Sequence, residues 1–189
     1  IYPELNAIWR QSDDVNYPKQ GNAWYYQARA GYEFEASDAP FAQLYVKNKR
    51  IYSVGENDNR ILLRGELGAI ATNSYDLFPP SLRFYAGGDQ SLRGYGFKEI
   101  GDYVDGLNLG GRYLVIGSVE YQHWILPDWA IAGFVDAGDA FDSEPNVNIG
   151  TGLGARWRSP VGPVRLDVAY GFHGPDPGWA LHFTLGADL

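Results

Sequence analysis

Apolar and polar residues alternate along almost the whole chain, with the period of two that marks strands rather than helices. In the segment 23–35, Trp24, Tyr26, Ala28, Ala30, Tyr32 and Phe34 fall on one face. Tyr25, Gln27, Arg29, Gly31, Glu33 and Glu35 fall on the other. Segment 60–72 sets Ile61, Leu63, Leu67, Ala69 and Ala71 against Arg60, Arg64 and Glu66. Segments 113–124 and 129–141 pair across the short turn Leu126-Pro127-Asp128, and 149–158 pairs with 164–172 through 159–163. The last segment, 179–189, opposes Trp179, Leu181, Phe183, Leu185, Ala187 and Leu189 to Ala180, His182, Thr184, Gly186 and Asp188. With 41–54 and an opening strand over 1–10 that Pro3 interrupts, the pattern predicts nine antiparallel strands. The expected class is all-β.

Three features choose among β architectures. One face of most strands is apolar or aromatic, while the other mixes charge with glycine. Connections alternate between short (126–128, 159–163) and longer (142–147, 173–178). Trp24, Trp124, Trp129, Trp157 and Trp179 lie near strand ends. A transmembrane β-barrel predicts all three: lipid outside, a polar lumen, short turns at one rim and aromatic girdles. Strands of roughly ten to thirteen residues also suit a tilted membrane crossing, whereas the strands of a soluble sandwich are mostly shorter. Nine is an odd count, and single-chain bacterial barrels carry even numbers. The chain therefore reads as the C-terminal part of a larger barrel, and its lack of an initial Met as a mature or trimmed chain.

Composition adds exclusions. The chain has 189 residues, a net charge of -8 and no Cys. The negative charge argues against nucleic acid as a partner. Without Cys there is no disulfide scaffold or thiolate metal site, which is compatible with a bacterial envelope protein. No apolar run approaches a membrane-spanning helix.

A long insert, at about 74–112, interrupts the strands. Its central stretch reads Phe78-Pro-Pro-Ser-Leu-Arg-Phe-Tyr-Ala-Gly-Gly-Asp-Gln-Ser-Leu-Arg-Gly-Tyr-Gly96. The two prolines end regular structure, and Gly87, Gly88, Gly94 and Gly96 surround the charge of Arg93. A loop this long is functional or disordered, and its Leu82, Phe84, Tyr85, Leu92, Tyr95 and Phe97 argue against disorder. It is expected to fold onto the protein.

Leu92-Arg93-Gly94-Tyr95, preceded by Ala86-Gly87-Gly88-Asp89, resembles the loop between strands eleven and twelve in the outer-membrane assembly and secretion superfamily. That superfamily includes BamA, TamA and the two-partner secretion transporters. The wording of 78–89, then Gly117-Ser-Val-Glu-Tyr-Gln, Phe134-Val-Asp-Ala-Gly-Asp, 150–167 and the ending Leu185-Gly-Ala-Asp-Leu are most similar to the TamA branch. The resemblance implies a sixteen-stranded barrel in the bacterial outer membrane, of which this chain is strands eight to sixteen. It implies assembly or translocation of other envelope proteins such as autotransporters, unfolded outer-membrane clients, and a TamB-like periplasmic partner bound through POTRA domains absent here. A two-partner secretion pore and a passive anchor for a fused passenger are the alternatives.

The resemblance also implies that Arg93 pairs with Glu120 and Asp136 on the lumen walls. The residue pattern agrees, since Glu120 is in phase with Ser118 and Gln122, and Asp136 lies opposite Val135 and Ala137. A guanidinium holds two carboxylates through forked hydrogen bonds that Lys cannot match. Gly87, Gly88, Asp89, Leu92, Gly94 and Tyr95 form the rest of the loop motif. Gly150, Gly152 and Gly154 leave a lumen wall bare, so that the loop backbone can approach. Trp179, Leu181, Phe183, Leu185 and Leu189 resemble the C-terminal signal of outer-membrane barrels, and Gly186 is a weak point in that strand. Arg83 and Asp139 are weaker candidates. His123, His173 and His182 share no metal-ligand spacing. With no nucleophile set, phosphate loop or close carboxylate pair, neither an enzyme nor a cofactor is expected.

Overall fold

The computed structural model describes residues 2–32, 40–55 and 58–189. Nine long strands form one antiparallel meander: β1 Glu4–Ser12, β2 Gly21–Gly31, β3 Phe41–Val54, β4 Asn59–Thr72, β7 Tyr113–Leu126, β8 Trp129–Phe141, β9 Asn148–Ser159, β10 Gly162–Gly171 and β11 Trp179–Leu185. Between β4 and β7 a small hairpin forms from β5 Tyr103–Val104 and β6 Leu107–Asn108. Every long strand pairs with its sequence neighbours, so the sheet runs β1 to β11 in chain order. The turns at 127–128 and 160–161 lie at one rim, and the loops at 142–147 and 172–178 at the other.

Alternation decides which face each residue takes. In β7, Leu114, Ile116, Ser118, Glu120, Gln122 and Trp124 are buried inside. Tyr113, Val115, Val119 and Tyr121 are exposed on the outer face. Along β10, Leu166 and Val168 point outward and Asp167 and Ala169 inward. The outer face is apolar and unpartnered, while the inner face carries the charges. A sheet built this way suits lipid outside and a polar interior.

Several expectations need adjusting. β1 starts after Pro3 and runs to Ser12, and β2 begins at Gly21; the Glu33, Phe34 and Glu35 end of the second predicted strand lies outside the described residues. Trp124 faces inward, under the guanidinium of Arg158 at 3.6 Å, and so is no part of an outer girdle. Among the described residues the sheet is open, with β1 and β11 as edges. The final strand stops at Leu185 rather than Leu189. Gly186 takes φ 145°, a backbone conformation that favours glycine. The chain then turns inward, burying Asp188 and Leu189. Leu189 therefore leaves the apolar outer row of Trp179, Leu181, Phe183 and Leu185, all of which are exposed.

The insert, residues 73–112, is ordered and packs against the concave face. It opens with two 3-10 turns, Tyr75–Leu77 and Pro80–Leu82, and is laced by backbone bridges Phe84–Gly111 and Ala86–Ile100. Ala86, Leu92, Tyr95 and Ile100 from the insert join Leu114, Ile116 and Ala140 from the wall in one apolar cluster. Leu92 and Tyr95 are 0% and 1% exposed. At about 1.5–3 kcal/mol for a fully buried large side chain, these two anchors alone outweigh an ordinary surface loop contact. The tip beyond them stays outside, with Phe97 81% exposed.

Candidate functional site

Strand register builds the inner wall in rows. Ser118 of β7 lies opposite Asp136 of β8, and Asp136 opposite Gly150 of β9. The next inward row is Glu120, Phe134, Gly152 and Ala169. The third is Gln122, Ala132, Gly154, Asp167 and His182. Carboxylates therefore stand on three adjacent rows, around a β9 strip that has no side chains at 150, 152 and 154.

Arg93 enters this trough from the insert and satisfies all its donors. Its backbone N–H and its Nε donate to Oδ2 of Asp136 at 3.0 and 2.8 Å, and Nη2 donates to Oδ1 at 2.9 Å. Nη1 donates to Glu120 Oε2 at 2.5 Å and reaches Asp167 Oδ2 at 3.4 Å. The guanidinium plane lies over the Phe134 ring, 3.4 Å from its centroid, a cation–π contact. Arg156 of β9 closes a ring of alternating charge. Its Nε donates to Glu120 at 2.9 Å and its Nη1 to Asp167 at 2.6 Å. Ser118 donates to Asp136 at 2.5 Å, and Gln122 donates to Glu120 at 2.7 Å.

All of these groups are almost fully enclosed; Asp136 is 0% and Glu120 3% exposed. Burial alone would lower the basicity of Arg93. The Asp136 hydrogen bonds and the Glu120 charge outweigh it and hold the group above the ordinary guanidinium value. Two arginines serve three carboxylates here, and Arg64, 3.8 Å from Asp136, brings the count to balance.

The flanking residues shape the loop to this geometry. Gly94 takes φ 95°, and a Cβ there would lie 2.9 Å from the β10 backbone at Tyr170 and Gly171. Gly88 N–H donates to the Tyr95 carbonyl at 3.1 Å, closing the turn. Gly87, also at positive φ, faces the Gly96 carbonyl, where no side chain fits. Tyr95 donates its hydroxyl to the Ile149 carbonyl at 2.8 Å, and Asp89 accepts from Thr184 at 3.1 Å. The three β9 glycines do not share one task. At Gly150 a Cβ would meet the Arg93 carbonyl, so there the loop backbone does occupy the vacated space. At Gly152 it would meet the Phe134 ring and the β10 backbone, and at Gly154 the Asp167 and Arg156 side chains. Gly152 thus makes room for the Phe134 ring and the neighbouring strand, and Gly154 for the ion cluster; neither makes room for the loop.

Asp167, Arg156, Ser118 and Phe134 complete the site without having been singled out from sequence. Asp167 was reachable in principle: a tight turn at 160–161 fixes its register opposite Gly154. His182, which offered no metal spacing, accepts the Gly94 N–H at Nε2, 3.0 Å away. Arg83 and Asp139 lie elsewhere. Arg83 stacks on Tyr75 opposite Arg112, at 4.3 and 4.4 Å. Asp139 accepts the Ala140 and Asn146 N–H groups and shapes the 142–147 loop.

A curved antiparallel sheet with an apolar outer face, and a loop pinned to a charged inner wall, defines an integral membrane protein of the β-barrel class. Comparison with known proteins narrows the class. The Omp85 superfamily domain matches residues 4–188, and the chain belongs to that superfamily, whose bacterial members sit in the outer membrane. It is 36% identical over 115 residues to the outer membrane protein assembly factor BamA of Nitratidesulfovibrio vulgaris (strain Hildenborough), a stretch covering 56% of this chain and 14% of that protein. The crystal structure of BamA from Haemophilus ducreyi lacking POTRA domains 1–3 shares the fold, with TM-score 0.77 at 19% identity over 97% of this chain and 42% of that one. The chain thus spans less than half the length of these relatives.

Proposed function

We propose that this sheet is the C-terminal part, strands eight to sixteen, of an outer-membrane factor that inserts or translocates other envelope proteins. The Arg93 loop is its internal lock. The observation that carries this reading is the seating of Arg93 between Asp136 and Glu120, since a passive anchor has no need of a forty-residue insert held by enclosed ion pairs. The BamA-type relatives support the assembly role. The wording at 78–89 and 134–139 supports the TamA branch, and with it autotransporter clients and a TamB-like partner on domains outside this chain. The machinery is non-enzymatic on this reading: it lowers the barrier to strand pairing by offering edges and a shaped lumen.

The test is reconstitution of the full-length protein in lipid vesicles, followed by addition of a urea-denatured autotransporter barrel. Folding is read by protease resistance and gel mobility. The protein is expected to accelerate folding over empty vesicles, and Arg93→Ala to remove most of that gain. Acceleration no greater than in empty vesicles would overturn the assembly role.

A further inference from the structure

Among the described residues β11 is one of the sheet's two edge strands and pairs with β10 alone. Its inner face nevertheless has contacts of its own. His182 Nε2 accepts the Gly94 N–H at 3.0 Å, and Thr184 Oγ1 donates to Asp89 Oδ2 at 3.1 Å. These are successive inward positions of the strand, and both partners belong to the loop motif that surrounds Arg93. The adjacent amides divide their bonds: Arg93 N–H goes to Asp136 of β8, and Gly94 N–H to His182 of β11. The positive φ of Gly94 is the backbone state in which both bonds form.

We infer that His182 and Thr184 are positioning residues that couple the Arg93 lock to the last strand. While the loop is seated, β11 is held both by β10 and by the loop beneath it. When Arg93 leaves the wall, Gly94 and Asp89 move with it. β11 then loses its inner support and its order falls. Loop seating and last-strand order are thereby coupled, so a perturbation of either shifts the other in the same direction, by no more than the free energy of the contacts they share. The use to which such an edge is put rests on the assembly reading above; the coupling itself does not.

Amide hydrogen exchange on the full-length protein in nanodiscs tests this, comparing the peptide covering 179–185 with peptides from β7 and β8. Arg93→Ala is expected to speed exchange in 179–185 about five- to thirtyfold, the factor that corresponds to losing one or two buried hydrogen bonds. The double variant His182→Leu/Thr184→Val is expected to do the same, and adding Arg93→Ala to it is expected to give no further change in 179–185. His182→Gln, whose side-chain oxygen can take the acceptor position, is expected to restore protection. The coupling is overturned by unchanged exchange in 179–185 when Arg93→Ala releases the loop, or by effects that multiply in the triple variant. If these exchange results hold while Arg93→Ala assembles clients normally, the coupling stands and the role of the Arg93 lock in the proposed function falls; if they hold while the parent protein accelerates no folding, the coupling stands and the assembly role falls.

Discussion

Replacing Arg93 tests the lock most directly, and the structure sets the size of the effect. Asp136 accepts three bonds from Arg93 and one from Ser118, at 0% exposure. Removing the guanidinium leaves that carboxylate enclosed with its backbone and hydroxyl donors and the distant charge of Arg64. It also strips one of the two arginines from Glu120. Breaking a buried pair by removing one partner costs about 3–5 kcal/mol, and the surviving Ser118 bond argues for the lower end. A loss of about 3 kcal/mol in seating corresponds to roughly a hundredfold rise in the unseated population at about 1.4 kcal/mol per decade. Thermolysin reads that population, since Leu92 is 0% exposed and cannot be cleaved while the loop is on the wall. Under conditions where reclosing outpaces cleavage, the rate follows the open fraction. Arg93→Ala is therefore expected to be cut before Leu92 about a hundred times faster than the parent. Arg93→Lys, which keeps the charge but not the fork, is expected to fall between, near tenfold. Cleavage of Arg93→Ala within threefold of the parent would refute the reasoning, because enclosed carboxylates would then be tolerating the loss of their cation.

Three other outcomes follow from neighbouring features. Gly150→Ala, which puts a methyl group where the Arg93 carbonyl lies, is expected to unseat the loop to a similar degree with every charge retained, by the same thermolysin assay. Leu166→Arg, on the exposed outer face, is expected to destabilise the folded protein by about 2–4 kcal/mol if it sits at mid-bilayer, measured by urea titration in vesicles. Asp188→Asn is expected to loosen the inward tail. Its carboxylate bridges Arg60 and Arg165 at 2.9 and 2.8 Å, so a reporter Leu189→Cys in this Cys-free chain should react with a thiol reagent several times faster.

Strand existence was legible from the period of two, and facing where that period survives in burial, as in β7, which reads correctly from Tyr113 to Trp124. Arg93, Glu120 and Asp136 were legible as a group because a motif resemblance named them, and phase alone put both acids on the inner face. Asp167 and Arg156 were not named: the turn at 160–161 fixes Asp167 opposite Gly154, but neither register nor periodicity says that these side chains meet the loop's arginine. The end of β11 was misjudged for a local reason. Alternation continues on paper through Leu189, but Gly186 at positive φ redirects the backbone, and Arg60 and Arg165 attract Asp188 inward. His182 was passed over because its partner is a backbone amide, which carries no sequence signal.

The chemistry of the lock bears on how it works, apart from how strongly it holds. Enclosed ion pairs recover little more than their desolvation cost, and apolar residues of similar volume often stabilise as well or better. Leu92 and Tyr95 could have been joined by a third apolar anchor in place of Arg93. What an arginine among Asp136, Glu120 and Asp167 adds is intolerance of intermediate positions. A greasy side chain displaced by an ångström keeps most of its contact, whereas a guanidinium drawn partway out leaves several enclosed charges unmatched at once. The Arg93, Glu120, Arg156 and Asp167 ring extends this penalty over three strands and the loop. On the proposed reading this penalty confines the loop to two states, seated or free, and a two-state element is what a device must have if an incoming chain is to switch it.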